Sequence, residues 1–359
     1  MSENEHLSQD PSYFEYYGML ANQQNMLLDT VRTSSYQKAI MDASSYFKDK
    51  IVLDVGCGSG ILSFFAAHAG ARHVYAVEGS AEMAKMAMKL VEGNKMSHKI
   101  TVMHGLIEKV ELPVEKVDIL ISEPIGILLL HERMCESYVR ARMKYLPNPG
   151  IQNMYPSGGR ILLAPFTDTQ LYADTVQRCT FWTNDFFHGI DLSCLHQDAI
   201  SELFGGGVIG GIDPKSLLAK PYPIVIDFTS VALQELREIE RGFALKAEYT
   251  GVINGLAGWF DFQLGTELVI STAPNHPRTH WHQVRFLFQR PLAVNYGTLI
   301  DVHFRMIANK RRSFDIQISM QVGDVVHVQH FRLQDQHYHN LGGFTEVASA
   351  ENLGLSRPF

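Results

Sequence analysis

Two glutamates, Glu123 and Glu132, stand nine residues apart at the two ends of a segment that begins Pro124-Ile125-Gly126-Ile127 and closes on His131. They follow directly on the apolar run VDILIS at 117–122, which reads as a buried strand. In open α/β sheets chemistry collects beyond the carboxyl ends of the strands. A turn containing Pro124 and Gly126 can bring two carboxylates face to face across a pocket there. Paired carboxylates with no cation between them repel each other, so the pair itself points to a cationic ligand. A guanidinium suits it: it stays protonated well above neutral pH and presents its donors as a planar fork. Carboxylates on two sides can hold that fork, draw positive charge away from one nitrogen and align that nitrogen with an electrophile. The competing reading is plain: one glutamate caps a helix and the other is solvated.

A second motif lies upstream. Asp54-Val55-Gly56-Cys57-Gly58-Ser59-Gly60 follows the strand-like IVLDV (51–55) and opens a helix-like stretch, ILSFFAAHAG. Glycines there let backbone approach a ligand and set helix N–H groups beside it. A dinucleotide fingerprint would place its third glycine at 61, where Ile61 stands. The GxGxG pattern with an acid two residues ahead is the form that binds S-adenosylmethionine, although a nucleotide site and a structural turn stay open. Glu78 ends the next strand, eighteen residues past Gly60, where a carboxylate can accept both ribose hydroxyls. Glu108, after the third strand, stands where an adenine amino group would lie. Methyltransferases acting on nucleobase amino groups carry Asn/Asp/Ser-Pro-Pro-aromatic after the fourth strand. Here the turn is Ser122-Glu123-Pro124-Ile125, without the second proline or the stacking ring.

These residues need a frame. Tyr13, Phe14, Tyr17, Met26, Leu27, Val31 and Ile40 fall at helical spacing and predict one or two helices over 13–42. Residues 51–145 alternate apolar runs (IVLDV, HVYAV, ITVMHG, VDILIS) with helical stretches, which predicts a doubly wound, Rossmann-like parallel sheet. Met83, Met86 and Leu90 lie at helical spacing and are expected in its core. Pro147, Pro149, Gly150 and Pro156 mark a junction. Beyond it, short alternating runs such as RILLAPF, LAGWFDFQL and SFDIQISMQV predict an antiparallel, barrel-like second domain. The expected division is N-terminal helices at 1–46, an S-adenosylmethionine domain at 47–150, and a barrel at 151–345. A glycine-rich insertion at about 180–218 interrupts the barrel, and a loose tail at 346–359 follows it.

Composition narrows the classes. With 46% hydrophobic and 19% charged residues, the 359-residue chain is ordinary globular material, long enough for two cores. No apolar run approaches the roughly 20 residues needed to cross a bilayer, and the start, MSENEHLSQDPS, lacks a signal-peptide core. A nuclear or cytoplasmic location is expected. A net charge of −7 argues against direct nucleic-acid binding. Cys57, Cys135, Cys179 and Cys194 show no zinc spacing, so no metal is expected and reduced thiols are.

Taken together, YFEYYG, QQNMLLDTVRTSSYQKAI, VLDVGCGSGILSFFAAHAGA, VYAVE, ISEPIG, ERMCESY, LAPFTD, FHGIDLS, STAP, THWHQV and IANKR resemble the protein arginine N-methyltransferases, most closely the coactivator-associated, asymmetric-dimethylating (type I) subfamily. The resemblance runs from about Tyr13 to about Val322. It implies that Glu123 and Glu132 hold the substrate guanidinium. His280, within Thr279-His280-Trp281, is implied to close the acceptor site and to pair with Asp29. Arg32 would bind the cofactor carboxylate, and Tyr13, Phe14 and Tyr17 the helix over the cofactor, with Tyr17 also lining the arginine channel. Met134 and Ser137 would contact adenine. The insertion would be an arm docking on a second subunit in a homodimer, and the substrates arginines of histone tails and RNA-binding proteins.

The sequence also departs from that pattern. The turn after the first glutamate usually reads Met-Gly-Tyr in the family, and here Ile125-Gly126-Ile127. His131 and His282 stand where the subfamily often has Asn and Tyr; Met26 is retained. These changes keep a second reading open: a catalytically weak, cofactor-binding dimeric scaffold in transcription regulation. A small-molecule or nucleic-acid methyltransferase on the same fold is a third. The type I reading sets a test. Glu132→Gln should bind cofactor normally, as calorimetry would show, while turnover falls by a large factor; Asp54→Ala and Glu78→Ala should weaken cofactor binding first.

Overall fold

The computed structural model describes residues 11–339; the expected tail at 346–359 lies outside them. Among the described residues four helices come first: α1 (Pro11–Tyr17), α2 (Leu20–Leu28), α3 (Thr30–Asp42) and α4 (Ser44–Phe47). Three of them divide the stretch read as one or two, because the chain turns extended at Met19 and again at Asp29. Asp29 then caps α3, its Oδ1 accepting the Arg32 N–H at 3.0 Å.

The alternating region forms β1 (Ile51–Val55), α5 (Ile61–His68), β2 (His73–Glu78), α6 (Ala81–Gly93), β3 (Ile100–His104), β4 (Ile119–Ser122), α7 (Met134–Tyr145) and β5 (Met154–Tyr155). The strands lie in the order β3-β2-β1-β4-β5, and every pair is parallel. β4 is buried at every position and β1 at all but the first, as expected of strands with both faces covered. The connections run outward from β1 through β2 to β3, then return to β4 on the other side of β1. This reversal places the segments leaving β1 and β4 side by side: the glycine loop and the double-glutamate loop. On α6 the buried stripe is Met83, Ala84, Ala87 and Val91; Met86 is half-buried and Leu90 is 43% exposed, so only Met83 of the three expected residues is fully in the core.

The second region contains β6 (Gly158–Phe166), α8 (Thr169–Thr180), α9 (His196–Leu203), β7 (Gly206–Gly210), β8 (Tyr222–Asp227), α10 (Leu233–Arg237), β9 (Glu238–Lys246), β10 (Gly251–Leu264), β11 (Leu268–Ser271), β12 (Gln283–Val294), β13 (Leu299–Ala308), β14 (Phe314–Val322) and β15 (Val325–Tyr338). They form one ten-stranded sheet, β8-β6-β10-β12-β7-β15-β14-β13-β9 with β11 beside β10, antiparallel except between β7 and β15. On β13 and β14 burial alternates along the strand, the pattern of a curved sheet with one wet face. The sheet ends nearly meet: Tyr222 of β8 stacks on Phe243 of β9 with centroids 4.1 Å apart, and Ala219 bridges Ala247. The result is a nearly closed barrel.

Most of the glycine run at 205–211, read from sequence as part of the insertion, is instead the buried barrel strand β7, Gly206–Gly210. A Cβ on Gly206 would lie 1.9 Å from the Asp335 carbonyl oxygen, so the close approach of β7 to β15 requires glycine. α8 and α9 pack on the outside of the barrel, with Leu171, Cys179 and Leu203 buried against Leu162, Phe166 and Trp259, and the segment between the two helices is exposed, Phe186 at 77% and Ile190 at 63%.

A buried ionic cluster joins the two regions. Glu136 of α7 takes Arg133 Nε on one oxygen at 2.6 Å and Arg237 Nε of α10 on the other at 2.9 Å. Arg142, one turn and a half further on, donates to the Phe228 and Val231 carbonyls at 2.7 and 2.8 Å. Removing one member of such a cluster leaves buried charge unpaired. Glu136→Ala should therefore lower unfolding stability by about 3–5 kcal/mol, read from the urea midpoint.

Candidate active site

A cavity of about 870 Å³ opens between α1 and α2, the loops leaving β1, β2 and β4, and barrel residues around His280 and Arg312. Tyr13, Phe14, Tyr17, Arg32, Gly56, Cys57, Gly58, Glu78, Glu108, Glu123, Glu132, Met134, Ser137 and His280 all line it. Three expected residues do not. Asp29 stands behind His280, Gly60 forms the N-cap of α5 with φ +87°, and Asp54 lies fully buried with its Oδ2 accepting from Ser63 Oγ at 2.7 Å. Asp54 therefore sits within β1 behind the cavity lining and ties that strand to α5 through Ser63.

Each glutamate is held from a different element. Glu123 Oε2 receives Arg32 Nε at 2.9 Å and Nη2 at 2.8 Å, while its Oε1 accepts the Ile125 N–H at 3.0 Å. Glu132 Oε2 accepts the Tyr17 hydroxyl at 2.7 Å. Burial raises the Glu132 pKa, the Tyr17 hydrogen bond opposes that rise and the Glu123 charge adds to it. Burial, and after it the Glu132 charge, holds the Tyr17 phenol well above its ordinary value, so Tyr17 donates.

The loop carrying the pair is strained. Leu128, Leu129, Glu132 and Arg133 are all left-handed, at φ +53°, +71°, +71° and +59°. Such conformations cost about 1–3 kcal/mol each and persist only where surrounding contacts impose them. Trp281 Nε1 donates to the Ile125 carbonyl at 2.9 Å; His131 Nδ1 meets Ser313 Oγ at 2.9 Å; Arg133 Nη1 donates to the Asn309 carbonyl at 2.6 Å. The barrel thus fastens both ends of the loop. Burial drives the His131 pKa down to about 4, so this ring is neutral where the subfamily often has Asn.

Asp29 joins the N-terminal helices to the barrel. Its Oδ2 accepts the His280 backbone N–H at 2.8 Å and lies 2.7 Å from His280 Nδ1. Burial alone would raise the Asp29 pKa, but the His280 ring and the Arg32 and His280 N–H groups lower it below its ordinary value. An ionised carboxylate only accepts, so Nδ1 carries a proton and Nε2 is the ring's open position.

At the other end, Glu78 accepts the N–H groups of Gly58 and Ser80 at 2.8 and 2.7 Å, which leaves lone pairs on both oxygens. Ser137 Oγ donates to Glu108 at 2.7 Å. Gly56 is left-handed at φ +66°, a conformation that favours glycine, with the Met134 side chain lying over it. Gln23 closes over the same loop, its Oε1 accepting from Ser59 N at 3.3 Å.

Sequence reasoning passed over several residues on the cavity: Arg312, Gln23, Gln336, Tyr338 and the Trp281 tie. Gln23 sits inside QQNMLLDTVRTSSYQKAI and Arg312 directly after IANKR, and those positions are their one sequence signal. Gln336 and Tyr338 belong to β15, beyond the resemblance.

Residues 52–147 match the model of a methyltransferase domain, and residues 159–324 match the arginine methyltransferase oligomerization subdomain. The combination defines a methyltransferase with an appended barrel. A solved structure of Arabidopsis thaliana protein arginine methyltransferase 10 superposes with a TM-score of 0.80 at 30% identity, covering 89% of this chain and 99% of that one. The Trypanosoma brucei PRMT1 enzyme–prozyme heterotetrameric complex with AdoHcy gives 0.77 at 32% identity, with the same coverage. Histone-arginine methyltransferase CARMER of Drosophila persimilis is 44% identical over 313 residues, 86% of this chain; that of Drosophila grimshawi is 45% identical. The chain spans 58% of the length of the former and 57% of the latter. The chain belongs to the protein arginine methyltransferase family.

The placement of Asp54 yields a pH test. Burial raises its pKa from 3.8 to about 7, with the Ser63 hydrogen bond opposing. The folded value exceeds the unfolded one, so this stability is fully present below pH 4 and is lost as pH rises through 7. Asp54→Asn should gain on the wild type by up to about 4 kcal/mol between pH 4 and pH 8, measured by urea unfolding at both.

Proposed function

We propose that this chain transfers methyl groups from S-adenosylmethionine to guanidinium nitrogens of protein arginines, forming monomethylarginine and then asymmetric dimethylarginine. The observation that carries this is the double-glutamate loop: two carboxylates at one cavity, one braced by Arg32 and the other by Tyr17, beside a histidine oriented by Asp29.

The cosubstrate fits the other end. Glu78 has lone pairs free for the ribose hydroxyls, and Glu108 with Ser137 forms a polar edge for adenine. Arg32 spends only part of its fork on Glu123 and can also hold a carboxylate. When bound, S-adenosylmethionine supplies an electrophilic methyl on its sulfonium. The chain's part is positioning and charge. Glu123 and Glu132 grip the guanidinium, and the incoming cation offsets the burial that raises the Glu132 pKa. Localising positive charge on the gripped nitrogens leaves the remaining one richer in electron density. His280 Nε2, with Nδ1 tied to Asp29, is an acceptor at the cavity for the proton released.

Histone tails and RNA-binding proteins are the proposed acceptors; the names of the Drosophila relatives support the former. They also support action in the nucleus, and we extend it to the cytoplasm. A homodimer is proposed from the oligomerization-subdomain match and from the exposed Phe186 and Ile190 between α8 and α9.

Incubation with methyl-labelled S-adenosylmethionine, core histones and arginine-rich RNA-binding proteins, followed by acid hydrolysis, should give labelled asymmetric dimethylarginine. Only monomethylarginine, or the symmetric isomer, would overturn the product class. No label with S-adenosylhomocysteine still bound would favour the scaffold.

A further inference from the structure

Arg312 reaches the cavity from the turn between β13 and β14, on the barrel side. It is 7% exposed, and its backbone is left-handed at φ +53°. The turn is braced internally: Asn309 N donates to Ser313 O at 2.8 Å, and Asn309 Oδ1 accepts from Arg311 N at 3.0 Å. It is also fastened to the double-glutamate loop. His131 contacts Ser313 and Arg133 contacts Asn309. The residues on either side of Glu132 thus grip the turn on either side of Arg312, a register that sets guanidinium and carboxylate toward the same part of the cavity.

There the guanidinium meets α1. Its Cζ lies 3.9 Å from the Tyr13 ring centroid and 5.9 Å from that of Phe14. Tyr13 packs on Tyr17 at 4.8 Å, and Tyr17 donates to Glu132. A helix of seven residues has little stability of its own and depends on such contacts.

We propose that Arg312 is a positioning residue for methyl transfer: its cation clasps the aromatic face of α1 to the barrel, closing that wall of the cofactor site, and places a fixed positive charge beside Glu132. The role in transfer rests on the methyltransferase reading; the clasp rests on the ring geometry.

The groups facing Glu132 are Tyr13 and Tyr17 from α1, Glu123 from the end of β4, Tyr338 from β15 and Arg312. Burial and Glu123 raise the Glu132 pKa, whereas Arg312 lowers it. Removing the cation should therefore move the acidic limb of kcat/KM to higher pH.

The test is calorimetric titration of S-adenosylhomocysteine into wild type, Arg312→Gln and Arg312→Lys, with pH profiles of kcat/KM on the same proteins. Arg312→Gln should bind about tenfold more weakly, the scale of a desolvated cation–π contact, with its acidic limb shifted up. Arg312→Lys keeps the charge and should recover most of the pH profile. On a Tyr13→Leu background the Arg312→Gln loss should vanish, a coupling that a purely structural role would not produce. Unchanged affinity and an unmoved limb in Arg312→Gln would overturn the proposal. Should that variant not fold, the same cycle with Arg312→Met, which keeps the apolar length and removes the cation, replaces it, and zero coupling to Tyr13 has the same force. Binding coupling in a wild type that methylates no arginine would keep the clasp and sink the reaction; turnover without coupling would do the reverse.

Discussion

Two carboxylates buried at one cavity repel each other and lose hydration together, and this electrostatic load shapes everything around it. Glu123 is relieved by Arg32, which α3 presents from a helix capped by Asp29. Glu132 is relieved by the Tyr17 hydroxyl of α1 and by the charge of Arg312. The counter-groups come from the N-terminal helices and from the barrel, and neither glutamate is paired within the parallel sheet that bears it. The site exists only when all three parts are assembled, and the guanidinium proposed as its ligand would complete the charge balance they leave open.

The loop between the two glutamates is strained as well. Four left-handed non-glycine residues between β4 and α7 are held by Trp281, Ser313 and Asn309, all on the barrel. Strain of this kind is stable when a rigid neighbour imposes it, and a nearly closed sheet is such a neighbour. The barrel thereby holds the geometry of the double-glutamate loop and also forms one wall of the cavity. The Glu136 cluster and the Asp29–His280 pair act in the same direction, each crossing between regions with buried charge.

Much of this was legible beforehand. The parallel sheet, the barrel and the glycine loop followed from local patterns: continuous apolar strands where both faces are covered, alternation where one is wet, and glycine where the chain turns sharply. Local patterns failed where long-range contact overrides them. The run 205–211 looks like a loop by composition and is a strand, because β15 approaches too closely for any side chain at Gly206. Leu90 carries a core residue's spacing and faces water, because the covered stripe of α6 turns one position away.

By itself the sequence determined the chemical inventory: two glutamates after a buried strand, a GxGxG turn with its acid, and a histidine in a distant THW segment. It determined the order of elements too, since apolar periodicity is a property of neighbours along the chain. Only the tertiary structure decided what each group does there. It put Asp54 inside β1, bonded to Ser63 and off the cavity wall, set Asp29 against a ring 251 residues away, and brought Arg312 onto the face of Tyr13. The reason is physical: charge, burial and ring contact depend on distance in space, and chain spacing constrains that distance only within a single helix, strand or turn.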